Sequence, residues 1–138
     1  MKPFALALLL ALTALAPSPA LANSDMTGAW RADFFGNKVE CHLEQRGTYL
    51  YGVAYVTTTS GERNTYHLIG VVLEDGRIRA AHGSGNYFDG TLTGENSVSG
   101  TFYFVNKGHS FSMQAERVAQ GKTAPGGLKW PDGFPPSQ

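Results

Sequence analysis

The chain has 138 residues, of which 42% are hydrophobic and 16% charged, with a formal net charge of zero at neutral pH. Its charges are scattered rather than gathered in a basic stripe, which excludes the electrostatic footprint of a nucleic-acid binder. Cys41 is the only cysteine, so an intramolecular disulfide is excluded and stability must come from packing and sheet pairing.

Residues 1–22 read as a signal peptide. Met1-Lys2 supplies a positive start, Phe4 to Leu15 an apolar run too short to span a bilayer, and Ala20-Leu21-Ala22 a small-residue cleavage site. Cleavage after Ala22 predicts export, to the periplasm or beyond, of a chain starting at Asn23. No cysteine stands at the cleavage point to carry a lipid, and no membrane anchor is expected. The remaining 116 residues keep ten Lys/Arg against eleven Asp/Glu and are enough for one domain with a modest core.

From Gly28 to Val118 the chain alternates apolar and polar residues in eight runs, the period of a strand. Strands are predicted near 28–35, 38–46, 49–58, 65–74, 77–84, 87–94, 97–106 and 109–118. Short turns carrying Gly, Asn or Asp separate most of them, at Gly36-Asn37, Gly47, Asp75-Gly76, Gly83-Ser84-Gly85-Asn86, Gly94-Glu95-Asn96 and Lys107-Gly108. No stretch holds a helical period. Four times an apolar residue, a spacer and a glycine recur, at Leu50-Tyr51-Gly52, Leu68-Ile69-Gly70, Phe88-Asp89-Gly90 and Val98-Ser99-Gly100. Glycine weakens a strand interior, so its recurrence on the apolar face marks places where a sheet curls or two walls approach. The predicted fold is all-β: an eight-stranded antiparallel up-and-down β-barrel over residues 23–118. Residues 119–138, rich in Gly and Pro, are expected to form a disordered or loosely attached tail, with Leu128, Trp130 and Phe134 available to dock it.

Alternation assigns Trp30, Cys41, Leu43, Leu50, Leu68, Ile78, Leu92, Val98 and Met113, with the four repeat glycines, to the inside. Cys41 then reads as a buried, inert thiol. In a meander the turns alternate between two ends, and the longest connection, Ser60 to Asn64, marks one as a mouth. The inward residues nearest it are Phe34, Val56, Tyr66, His82, Phe88 and Phe104, with His109 approaching the same rim. These six are the candidate ligand-binding residues, His82 and Tyr66 supplying polarity in an apolar pocket. The expected partner of His82 is Tyr66, Ser84 or a backbone carbonyl. Outside, Tyr49, Tyr51 and Tyr55 form an aromatic wall that could serve a partner or self-association.

Gly28-Ala29-Trp30 opens the first strand and Arg117 ends the last; closure makes those strands neighbours and sets a guanidinium beside an indole. This pairing resembles the signature of the calycin superfamily, which includes lipocalins, fatty-acid-binding proteins, avidins and bacterial metalloprotease inhibitors. The resemblance implies a closed barrel with Gly28, Trp30 and Arg117 as its structural closure. No single family follows. The Leu50-Tyr51-Gly52-Val53-Ala54-Tyr55 run resembles the third strand of avidins, but Trp30 and Trp130 are the only tryptophans, against the several that line a biotin site. One cysteine cannot make the disulfide usual in the metalloprotease inhibitors.

The four histidines lack metal-ligand spacing, and neither a Gly-x-Ser-x-Gly nucleophile elbow nor a phosphate-binding loop before a helix is present. No catalytic residue, metal or cofactor is assigned. The expected function is non-enzymatic binding of a small apolar or amphipathic ligand inside the barrel. The alternative is a protein-binding or inhibitor module acting through the rim loops or the tyrosine wall. A third reading is an isomerase- or cyclase-type barrel enzyme, which needs only one or two polar groups in an apolar cavity.

Overall fold

A computed structural model describes residues 25–137; the expected signal peptide lies outside the described residues. The strands are β1 (Gly28–Phe34), β2 (Asn37–Arg46), β3 (Tyr49–Thr57), β4 (Arg63–Val72), β5 (Arg77–His82), β6 (Tyr87–Gly94), β7 (Ser97–Phe104) and β8 (His109–Gln120). Each pairs antiparallel with the next and β8 returns to β1, closing the barrel. A single turn of 3-10 helix, Val105–Lys107, joins β7 to β8. β8 runs two residues past the predicted end, because Gln120 and Ala119 continue the ladder opposite Gly28 and Ala29.

Register follows the apolar pattern, since a slip of one residue would turn every core side chain outward. The barrel is packed unevenly along its axis. At the end carrying the starts of β1, β3, β5 and β7, the side chains of Met26, Trp30, Leu43, Leu50, Val72, Ile78, Leu92 and Val98 are all buried in one cluster. Burying each large apolar side chain contributes about 2 kcal/mol, so this end anchors the fold. Toward the other end Phe34, Val56, Tyr66, Phe88, Phe102 and Phe104 are only half-buried.

The anchored end is shut by Arg117, which pairs with Trp30 in the β1–β8 register. Its guanidinium lies 5.0 Å from the Trp30 ring centroid. It donates to the carbonyls of Asp25, Thr27 (3.2 Å) and Glu95 (2.6 Å), and to Asn96 Oδ1 (3.0 Å). The Trp30 indole donates to the Met26 carbonyl at 2.9 Å. One planar cation thus ties the segment entering β1 to the β6–β7 turn, a task that needs the several donors of a guanidinium. Gly28 is required beside it, because a Cβ there would collide with the Ala119 carbonyl.

Cys41 is buried in the β2 wall, and burial pushes its thiol pKa up to about 12. At pH 8 its thiolate fraction is then about one part in ten thousand. In the folded protein Cys41 is expected to stay unmodified by an aromatic disulfide reagent at pH 8 and to react fully in denaturant. Fast modification of the native thiol would contradict its burial.

The tail forms no helix or strand among its described residues beyond Gln120, as its composition predicts, and it lies against the barrel. It crosses the outside of β2 and β3, where Trp130 is buried with Tyr51 and Val53, against Tyr49, Tyr55, Leu128 and Phe134. Glu44, buried on the outer face of β2, accepts hydrogen bonds from the Leu128 backbone N–H (2.6 Å) and the Trp130 indole (3.2 Å). His42 Nδ1 lies 2.6 Å from Thr123 Oγ1. Leu128, Trp130 and Phe134, the residues available for docking, are the tail's apolar anchors, and Glu44 accepts its hydrogen bonds. The tyrosine wall is consequently not a free surface: the chain's own tail occupies it.

Candidate functional site

A cavity of about 260 Å³ runs along the lumen, bordered by Met26, Trp30 and Leu50 at the anchored end and by the half-buried aromatic residues at the other. All six residues singled out for ligand contact, Phe34, Val56, Tyr66, His82, Phe88 and Phe104, line it. Their convergence has a simple origin: each is an inward position in the mouth half of a different strand. His109 does not line it; the residue is exposed at the rim, its ring 5.6 Å from that of Phe104.

The repeat glycines make room along this wall. A Cβ at Gly90 or Gly100 would stand 2.6 Å or less from the Phe88 ring. Their bare backbones, paired across β6 and β7, let that ring lie flat against the sheet rather than fill the lumen.

The lining divides into two poles. On the β1–β7–β8 side Phe34 stacks on Phe111 (4.9 Å between centroids), Phe111 on Phe102 (5.6 Å), and Phe104 packs against both Phe102 and Phe111. On the β4–β5 side stand the polar groups. The Tyr66 ring meets the His82 ring edge-on at 5.2 Å. His82 Nδ1 lies 2.9 Å from Ser84 Oγ and accepts the Ser84 backbone N–H at 3.2 Å; of the three partners expected from sequence, Ser84 is the one used. Asn86, which sequence reasoning did not select, also lines the cavity, and its Oδ1 accepts the Val105 N–H at 3.1 Å. Its place in the β5–β6 turn at the mouth was the available signal. Phe102 and Phe111 face each other across β7 and β8, but nothing in the spacing of the sequence marks them as part of a stacked cluster.

Among the described residues that line the cavity, Arg31 alone carries a permanent charge. Arg31 borders the cavity from an exposed position between inward Trp30 and Ala32. The Cys41 Sγ is a neutral thiol. Among the described residues no group of three or more His, Cys, Asp or Glu could hold a metal ion. At the rim Phe35 is 78% exposed and adopts a left-handed φ of 47°, costly for a bulky non-glycine residue, with its ring 5.2 Å from Phe111.

A second depression, wider and more open, lies outside the barrel where Lys129, Trp130 and Asp132 of the tail pass Tyr51, His67 and Ala81. There the Tyr51 hydroxyl lies 2.8 Å from His67 Nδ1. It is a surface groove, whereas the lumen removes a guest from water on most sides. No protein-family model matches the chain, and no curated protein has a significantly similar sequence.

Proposed function

We propose that the protein is an exported, non-enzymatic binding protein of calycin-like type, carrying a small apolar or amphipathic ligand in the barrel lumen. The observation that carries this reading is the apolar cavity of about 260 Å³ in the lumen of the closed barrel. A site with an apolar wall and a few polar groups on one side is the usual form of a small-molecule pocket. The Gly28, Trp30 and Arg117 closure supports the superfamily assignment. Phe34, Val56, Tyr66, Phe88 and Phe104 would supply contact area, and His82 with Tyr66 would orient the guest.

A second reading, a partner-binding module acting at the rim, is favoured by Phe35, held outward at a strained φ. The tyrosine wall is the weaker surface for a partner because the tail covers it.

Native mass spectrometry of protein purified under mild conditions from its own host separates the two. The carrier reading expects an added mass of a few hundred daltons that is lost on denaturation. A bare mass, or a co-purifying protein, would transfer the assignment to the rim.

A further inference from the structure

We infer that the lumen takes a compact, uncharged ligand with a flat apolar body and one carbonyl-type oxygen, received by the Tyr66–His82–Asn86 wall. The inference rests on the carrier reading. Size comes first. A cavity of about 260 Å³ equals roughly nine water volumes and falls just below the ~300–1,000 Å³ of pockets for drug-sized ligands. A molecule of about two fused rings fits; a long acyl chain or a steroid does not. Phe34 and Phe102 both stack on Phe111, and what this aromatic cluster leaves uncovered favours a flat body over a branched one, because rings gain most from offset or edge contacts with another ring.

The polar wall then selects the head group through its free donors. A backbone N–H can only donate, so the Ser84 N–H at His82 Nδ1 leaves that nitrogen unprotonated. The proton of the neutral ring therefore sits on Nε2, which has no hydrogen-bond partner among the described residues. By the same reasoning, Asn86 Oδ1 is engaged by the Val105 N–H, which fixes the amide and leaves its NH₂ group to donate. The Tyr66 hydroxyl is also without a partner among the described residues. Three donors on one wall call for an acceptor oxygen.

Charge decides between a carbonyl and a carboxylate. An anion at this wall would lose its water without gaining a permanent counter-charge. Arg31, which borders the cavity, is exposed on β1, four strands around the barrel from His82 on β5, and Lys107 lies over Phe104 at 5.7 Å in an exposed turn. A neutral carbonyl gains the hydrogen bonds without that cost.

The test is equilibrium dialysis of the purified protein against three probes sharing one ring system: methyl naphthyl ketone, naphthoate and ethylnaphthalene. The ketone is expected to bind about tenfold more tightly than either of the others. Tyr66→Phe, which keeps the ring, should weaken the ketone several-fold and leave ethylnaphthalene unchanged. Naphthoate binding as tightly as the ketone would overturn the uncharged head. Ethylnaphthalene doing so would overturn the donor wall. Either result leaves the carrier reading standing. Failure of all three probes overturns the ligand class, and the native mass then shows whether the carrier reading falls with it.

Discussion

Replacing Gly100 by Ala is expected to destabilise the barrel by about 3 kcal/mol, the upper end of what overpacking a close-packed site costs. A Cβ at Gly100 would collide with the Asp89 carbonyl and stand 2.6 Å from both Gly90 Cα and the Phe88 ring. Two of those three contacts are backbone. The Phe88 ring could swing away, but only into the lumen, and the β6 backbone could yield only by lengthening its ladder to β7. Alanine's smaller loss of backbone entropy on folding returns less than about 1 kcal/mol. Gly83→Ala is the control, since a Cβ there meets nothing within 4 Å; its effect should stay within about 0.5 kcal/mol. Urea denaturation of both variants measures the difference. If Gly100→Ala proves as mild as Gly83→Ala, close approach is not the reason for glycine at this position. If the variant folds with a displaced Phe88, the same ring should obstruct ligand entry.

The glycine positions were readable because a strand's two-residue period ties each residue to a face, and one face of this sheet is buried. That logic placed Phe34, Val56, Tyr66, His82, Phe88 and Phe104 on the inside and brought them to one end. It also set Arg117 beside Trp30, because closure of an eight-strand meander leaves β8 no other neighbour. What the pattern could not convey is how far the strands are staggered, and stagger determines whether eight inward rows fill the lumen or leave it hollow. His109 has the same parity as Phe111 yet lies outside, because parity loses its meaning where a strand emerges at the rim. The docked tail was legible only as three apolar residues able to dock, and the wall that receives them was hidden for a different reason. Glu44 and Trp130 are 86 positions apart, no periodicity links them, and Gly- and Pro-rich composition describes a chain's freedom rather than its anchors. A charged residue alternating outward on β2 reads as solvated until something covers it.

Replacing Trp130 by Ala is expected to release the tail, with a loss of about 3 kcal/mol, comparable to truncating a buried Trp elsewhere. The indole does several jobs at once. It is 8% exposed, stacks on Phe134 at 5.7 Å, tilts against Tyr51 at 5.6 Å and carries the Arg46 guanidinium 4.3 Å from its centroid. Its N–H also serves the buried carboxylate of Glu44. Without it, Glu44 would remain under the tail with only the Leu128 N–H, and a buried charge missing a partner favours opening. Leu128 and Phe134 would then lose their contacts as well, so release should be all-or-none rather than graded. The strand ladder from β1 to β8 does not include the tail, so the barrel should stay closed. Limited trypsin digestion should therefore cleave at Lys122 and Lys129 while the β-sheet circular dichroism is retained, and the thermal midpoint should fall by on the order of 10 °C. The uncovered wall of Tyr49, Tyr51 and Tyr55 would then be a contiguous exposed aromatic patch, the kind that drives association. Sedimentation should accordingly show the variant dimerising at concentrations where the parent is monomeric. A tail that stays protected from trypsin in this variant would mean that Glu44, not Trp130, holds it in place.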